Sequence, residues 1–280
     1  MKKITELYLK NRTVILRCDL NVSIKDEKII DDTKIKESLK TINYILEQGG
    51  KVVIMSHLGK IKTEEDKQKY DMKIVYNRLN ELLPNKISFI NETSGSKLKK
   101  AVKKLEYGKG ILIQNTRYED LPKNKESGCD KKLSKYWAKL GDYYVNDAFG
   151  TIHRMHASNY GVSNYLESAV GFLVIKELDN LNRLDNPKRP FVVIMGGSKI
   201  SDKIGVIKSL IKQADYILIG GAMAFTFLEA KGYRVGRSLF EEKYIDYCKE
   251  LIKHYGDRLI LPVDIYGTYT LTEKPDVILQ

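Results

Sequence analysis

Residues 33–60 read TKIKESLKTINYILEQGGKVVIMSHLGK, and this stretch decides the fold class. Ile35, Leu39, Ile42 and Leu46 recur every three or four residues, which predicts a helix with one apolar stripe. Asp31-Asp32-Thr33 offers N-cap chemistry ahead of it, and Gly49-Gly50 stops it. Lys51-Val52-Val53-Ile54-Met55 then reads as a strand running into Ser56-His57. Outward in both directions the alternation continues. Before it, a short strand over 13–16 ends at Arg17-Cys18-Asp19. After it come a helix marked by Ile74, Leu79, Leu82 and Leu83, strands at 87–90, 111–113 and 143–145, and a helix near 98–105. The second half repeats the theme, with apolar runs at 191–195, 216–219 and 259–261 and helices over 203–212, 222–230 and 242–254. Strands alternating with helices mean βαβ units and parallel sheets. Strands apolar along their whole length predict sheets covered on both faces. A helix over 175–184, followed by the polar Asp185-Asn186-Pro187-Lys188-Arg189-Pro190, marks a boundary between two α/β domains.

Composition removes several function classes. The 280 residues are 42% hydrophobic and 30% charged, with a net charge of +12 from 48 basic and 36 acidic side chains. The excess includes lysines on expected helix faces (Lys97, Lys99, Lys100, Lys103, Lys104), which read as solvated surface. No basic face interleaved with aromatics and no recognisable module points to nucleic acid. No apolar run approaches a membrane span, and the N-terminus MKKITELYLK lacks the apolar core of a secretory signal. Cys18, Cys129 and Cys248 are far apart, which fits a reducing, cytoplasmic setting and excludes a cysteine zinc module. The four histidines show no HExxH spacing, and GxSxG is absent.

Ligands of open parallel sheets bind beyond the carboxyl ends of the strands. In the first half those ends carry Arg17, Asp19 and Asn21, then His57 and Lys60, then Arg117, then His153, Arg154 and His156. Any one of these alone is a surface charge; their recurrence after separate strands points to an anion site. In the second half the ends carry Gly196-Gly197-Ser198-Lys199 and Gly220-Gly221. Such turns allow close backbone approach to phosphate, or simply tight strand-to-helix packing. Neither GxxxxGK[ST] nor GxGxxG is present.

At these residues the chain resembles the phosphoglycerate kinases. The matching blocks include LRCDLNV (16–22), DDTKI (31–35), VVIMSHLGK (52–60), QNTRYED (114–120), YVNDAFGTIHRMHAS (144–158), RPFVVIMGGSKISDKIGVI (189–207), ILIGGAMAFTFLEAKGY (217–233) and LPVD (261–264). The resemblance implies two Rossmann-like three-layer α/β/α lobes with parallel sheets: a phosphoglycerate-binding domain over 1–170, an interdomain helix and linker over 171–188, and a nucleotide-binding domain over 189–280. It implies a glycolytic phosphotransferase that moves phosphoryl between 1,3-bisphosphoglycerate and ADP, giving 3-phosphoglycerate and ATP, with Mg²⁺ carried by the nucleotide and hinge closure joining the two substrates. Asp19 and Asn21 would hold the glycerate, and His57, Lys60, Arg117 and Arg154 its phosphate or carboxylate. Lys34 and Lys199 would steady the transferring group, while Gly197, Lys203 and Gly221 would line the nucleotide site.

The chain departs from the family pattern at several of these positions. Lys34 and Lys60 stand where the family has arginine, Ile61 where it has proline, and Gln114, Thr116 and Ser198 alter other motif positions. Lysine keeps the charge but loses the planar fork. The family's late acidic residue and its GGGD-type turn, whose aspartate helps hold Mg²⁺, are not in residues 265–280, so no metal ligand is expected within this chain. Residues 276–280 read as an unfinished strand of an incomplete second lobe. A monomer is expected, with weak or absent turnover and phosphoglycerate binding retained; the alternative is a catalytically impaired fragment or a non-catalytic binding protein that needs a second polypeptide to complete the nucleotide lobe.

Overall fold

The computed structural model describes residues 1–267 and 277–279. The chain divides into two compact units, Met1–Asn182 and Arg183–Gln280. The expected linking segment 171–188 is thereby split, its helix going to the first unit and its polar stretch to the second.

In the first unit, strand β1 (Thr13–Cys18) is followed by a two-strand ribbon, β2 (Ile24–Lys25) and β3 (Lys28–Ile29), and then by helix α1 (Thr33–Glu47). Strand β4 (Lys51–Met55) leads to helices α2 (Glu64–Lys69) and α3 (Lys73–Leu82). Then come β5 (Ile87–Ile90), α4 (Ser96–Lys104), β6 (Gly110–Ile113), α5 (Lys131–Ala138), β7 (Tyr143–Asp147), β8 (Glu167–Val170) and α6 (Phe172–Leu181). The expected strands and helices of this half are present. The periodicity missed α2, α5 and β8, which are short or charged and carry weak apolar repeats. Six strands form one parallel sheet in the order β5-β6-β4-β1-β7-β8.

Alternation along β1 explains why both sheet faces are covered. Val14, Leu16 and Cys18 pack with α1 (Ile35, Ile42, Ile45) and α3 (Val75, Leu79). Ile15 packs on the opposite side with α4 (Leu98, Val102) and α5 (Leu133, Trp137). The Trp137 indole N–H is satisfied by the Thr93 carbonyl at 2.7 Å. Helix α6 is fixed to the sheet electrostatically. Its Leu173 and Val174 amides donate to Asp147 Oδ1 at 2.8 and 3.3 Å, a carboxylate at a helix N-terminus. Gly171 is required there, because a Cβ would lie 2.3 Å from that oxygen.

In the second unit, β9 (Val192–Met195), α7 (Ile204–Leu210), β10 (Tyr216–Ile219), α8 (Met223–Ala230), α9 (Ile245–Tyr255) and β11 (Leu259–Ile260) give a three-stranded parallel sheet ordered β11-β10-β9. Met195, Ile217, Ile219 and Leu259 pack with α7, α8 and α9 residues into one core. The opposite face does not follow the expectation of burial on both sides: Val192 is 43%, Ile194 79%, Tyr216 45% and Ile260 43% exposed. Apolar character along a strand therefore reports what the strand is built to pack against, not what covers it here. Strand β12 (Ile265–Gly267) pairs antiparallel with β13 (Val277–Leu279). The strand expected over 276–280 includes β13, while Asp276 and Gln280 lie outside the described residues. Among the described residues no helix is long and apolar enough to cross a membrane.

Candidate functional site

The first sheet changes direction at β1. The chain passes from β1 to β4 on one side and later returns to place β7 on the other. Crevices of this kind, beyond the carboxyl ends of the strands, are where α/β sheets bind ligands.

Four loops contribute to it, one after each of β1, β4, β6 and β7. After β1, Leu20 N donates to Ser56 Oγ at 2.9 Å, which ties the loop to the end of β4. Asn21 Oδ1 accepts from Gly59 N at 2.8 Å, so Asn21 and the turn after His57 are joined directly. Gly59 has φ +58° and lies so close to Tyr70 that a Cβ would come within 2.5 Å of the ring. The turn needs glycine on both counts. Asp19 Oδ1 accepts from Asn21 N at 3.2 Å, and its Oδ2 lies 3.0 Å from Lys34 Nζ. Lys34 itself is exposed at the start of α1.

Arg117 stands on the short 3₁₀ turn Thr116–Asp120 after β6. Buried Asn115 organises that turn: its Oδ1 accepts from Arg117 N at 3.1 Å, and its Nδ2 donates to the Leu58 and Tyr70 carbonyls at 2.8 and 3.0 Å. Arg117 Nη1 reaches Gly59 O at 3.4 Å, while its Nε is buried without a partner. Arg154 is half-buried, set by a turn in which its amide donates to Thr151 O at 2.9 Å and its carbonyl accepts from Asn159 Nδ2 at 2.8 Å.

His57 is 5% exposed. Burial, and then the fields of Arg17, Arg117, Arg154 and His156, hold its pKa down to about 2. His156 is lowered to about 4 by burial and then by Arg117, Arg17 and Arg154. Arg117 is lowered by burial and then by Arg154. These mutual effects place Arg17, His57, Arg117, Arg154 and His156 in one positive field. A buried guanidinium N–H with no partner, in such a field, is the signature of a site for an anion.

Of the expected site residues, the structure thus brings together Asp19, Asn21, Lys34, His57, Arg117 and Arg154. Lys60 is exposed and makes no ion pair among the described residues. His153 is exposed as well. Arg17 corrects the reading of the strand ends. It is not beyond the strand but inside β1, and it is 1% exposed. Sequence reasoning also passed over Glu126 and Ser158, both fully buried beside it. Nothing in the sequence pattern marks an acidic loop residue as the counter-charge of a strand arginine.

The second unit builds its site from backbone. Gly197 and Gly221 have φ of +148° and +65°, and a Cβ on Gly221 would lie 3.0 Å from Gly197 N and O. Gly197 O accepts from Met223 N at 2.9 Å, so the two glycine turns and the start of α8 are one assembly. Helix α8 follows Gly220-Gly221 directly, but α7 begins only at Ile204, well after Gly196-Gly197. Both helices start where the pattern places them, near 203 and 222, so a helix N-terminus lies directly beside the second turn alone. Lys199 is exposed and Lys203 half-buried, with Lys203 Cε 3.8 Å from where a Gly197 Cβ would sit. Ser201 is held by Glu241, which accepts from its amide at 2.9 Å and its hydroxyl at 2.8 Å. Burial opposes ionisation of Glu241, but these hydrogen bonds and the nearby Lys199 outweigh it and lower its pKa.

One parallel-sheet unit thus carries a basic crevice, and the other carries interlocked glycine turns flanked by lysines. The comparisons with known proteins name the group. The phosphoglycerate kinase family model matches residues 4–277. A phosphoglycerate kinase of Macrococcus caseolyticus is 52% identical over 277 residues, covering 99% of this chain and 70% of the relative. One from Staphylococcus aureus is 52% identical over 264 residues, covering 94% and 67%. The structure of phosphoglycerate kinase from Coxiella burnetii superposes with a TM-score of 0.83 at 34% identity, covering 99% of this chain and 70% of that one. That from Pyrococcus horikoshii gives 0.79 at 32% identity, covering 96% and 69%. The chain belongs to the phosphoglycerate kinase family.

Proposed function

We propose that the first unit holds the three-carbon acid and the second the nucleotide, and that the chain moves a phosphoryl group between 1,3-bisphosphoglycerate and MgADP. The observation that carries the first half is the buried, unpartnered Arg117 Nε in the shared field of Arg154 and Arg17. A phosphate or carboxylate oxygen satisfies that N–H and relieves the repulsion at once. In this reading His57, Arg117 and Arg154 meet the anionic groups of the acid, Asp19 and Asn21 its hydroxyl, and Lys60 stands at the rim. Gly197 and Gly221 leave backbone open to the nucleotide phosphates, and Lys203 adds charge beside them. Lys34 and Lys199 steady the phosphoryl group in flight, where charge spreads over the equatorial oxygens. Mg²⁺ enters as part of the nucleotide substrate. No covalent enzyme intermediate is needed.

The free cysteines Cys18, Cys129 and Cys248 suit a reducing cytoplasm. The test is a coupled assay with 3-phosphoglycerate and MgATP. Arg117→Ala is expected to raise KM for the acid, and Lys199→Ala to lower kcat by roughly 10²-fold or more. Phosphorylation of a different acceptor, with no response to 3-phosphoglycerate, would overturn the assignment.

A further inference from the structure

A guanidinium has five N–H donors and no acceptor. That fact turns the contacts of Arg17 into proton assignments. Its Nη2 lies 3.0 Å from His57 Nδ1, so Nδ1 must accept and cannot carry a proton. A neutral imidazole with a bare Nδ1 carries its proton on Nε2. No protein group among the described residues hydrogen-bonds Nε2.

The other end of Arg17 is anchored just as firmly. Its Nη1 donates to the Cys18 and Met55 carbonyls, the latter at 3.4 Å, which fixes it across the ends of β1 and β4. Its Nε donates to Ser158 Oγ at 3.0 Å. Ser158 has one hydroxyl proton, and it goes to Glu126 Oε1, while Ser158 N donates to Glu126 Oε2 at 2.9 Å. Both carboxylate oxygens therefore accept. Glu126 is 0% exposed and Arg17 1%. Burial raises the Glu126 pKa, and the Arg17 charge and the two bonds from Ser158 act against that, so the carboxyl is the buried partner of Arg17 through Ser158. Glu126 offsets part of the Arg17 charge from behind, while Arg117 and Arg154 make no ion pair among the described residues.

We infer that Glu126, Ser158 and Arg17 form a buried positioning relay that fixes His57 as a neutral Nε2–H donor aimed at the acid's anionic group. The relay does not touch substrate. It sets the tautomer and ring orientation of a residue that does, in the way that outer partners fix metal-bound histidines. The last clause of the inference rests on the proposed function; the tautomer assignment does not.

The experiment is nitrogen-15 NMR of the free protein labelled at histidine, between pH 5 and 8. The expected result is an His57 signature with Nε2 protonated, Nδ1 bare and no titration in that range. A protonated Nδ1, or titration near pH 6.5, would overturn the relay in the wild-type protein itself. Two variants extend the test. Arg17→Met should mix the tautomers and raise KM for 3-phosphoglycerate about tenfold with little change in kcat, while burial and the charges of Arg117, Arg154 and His156 still keep His57 neutral. Glu126→Gln, which keeps the shape but removes the counter-charge, should move the His57 resonances in the same direction. A folded Arg17→Met protein with an unchanged His57 signature would contradict the inference. Adding 3-phosphoglycerate to the wild type separates the two readings: an His57 that holds the expected tautomer but ignores the ligand would leave the relay standing and remove its substrate.

Discussion

Leu16 and Ile15 are neighbours on β1, and both are 0% exposed; Ile194 and Met195 are neighbours on β9, at 79% and 7%. The two sheets share a construction and differ in what covers them. In the first unit helices lie on both sides, so a strand can carry an arginine inward and bury its counter-charge. The resulting pocket is made of side chains held rigid by hidden partners. In the second unit one face is covered, and the candidate site comes from turns, where glycine backbone does the shaping beside an exposed Lys199 and a half-buried Lys203.

The contrast can be broken most sharply by truncation. Leu16→Ala should cost about 2–5 kcal/mol in the first unit, while Ile194→Ala on the open face should stay within ~0.5 kcal/mol, both read by hydrogen exchange resolved to each unit. Equal costs would mean that the open face is packed after all. Next in size, Arg117→Ala should weaken binding of the acid by about 2–3 kcal/mol without weakening nucleotide binding, as measured by calorimetry with each ligand. Gly221→Ala should do the converse: alanine at φ +65°, 3.0 Å from Gly197 backbone, costs about 1–2 kcal/mol and should fall on nucleotide affinity.

Acid should also discriminate between the units. The unfolded chain binds a proton at His57 near pH 6.5, whereas the folded chain resists protonation until pH is about 2. The His57 contribution to stability of the first unit is therefore full above pH 6.5 and falls as pH drops below it, by at most about 1.4 kcal/mol per pH unit, and His156, lowered to about 4, adds a second slope of the same sign. Denaturant titrations of wild type and His57→Gln over pH 4–7 check this, since the glutamine variant lacks the His57 slope. The smallest effect belongs to Lys34. Its ion pair with Asp19 at 3.0 Å is half exposed, so Lys34→Ala should change stability by less than ~0.5 kcal/mol while lowering kcat if its proposed role holds.

Much of the scaffold was legible because periodicity reports burial. The stripe Ile35-Leu39-Ile42-Leu46 and the run 51–55 became α1 and β4 with little change. Strand β8 and helix α5 escaped, since ESAV and KKLSKYWA carry little alternation, and their burial comes from neighbours distant in sequence. At the site, residues that end strands were readable by position: His57 and Arg117 both fall where the topology demands. Arg17 was misplaced, because a charge within an apolar run looks like the end of the run. Only the fold brings Glu126, 109 positions later in sequence numbering, behind it through Ser158. Proton assignments of that kind live in three-dimensional contacts and have no counterpart in sequence spacing.

The central claim is that the basic crevice of the first unit binds the phosphorylated three-carbon acid. Isothermal titration of 3-phosphoglycerate into the wild-type protein, Arg117→Ala and Gly221→Ala tests it most directly. One saturable site is expected, weakened at least tenfold by Arg117→Ala and unchanged by Gly221→Ala. Binding that survives Arg117→Ala intact, or that disappears with Gly221→Ala, would contradict it.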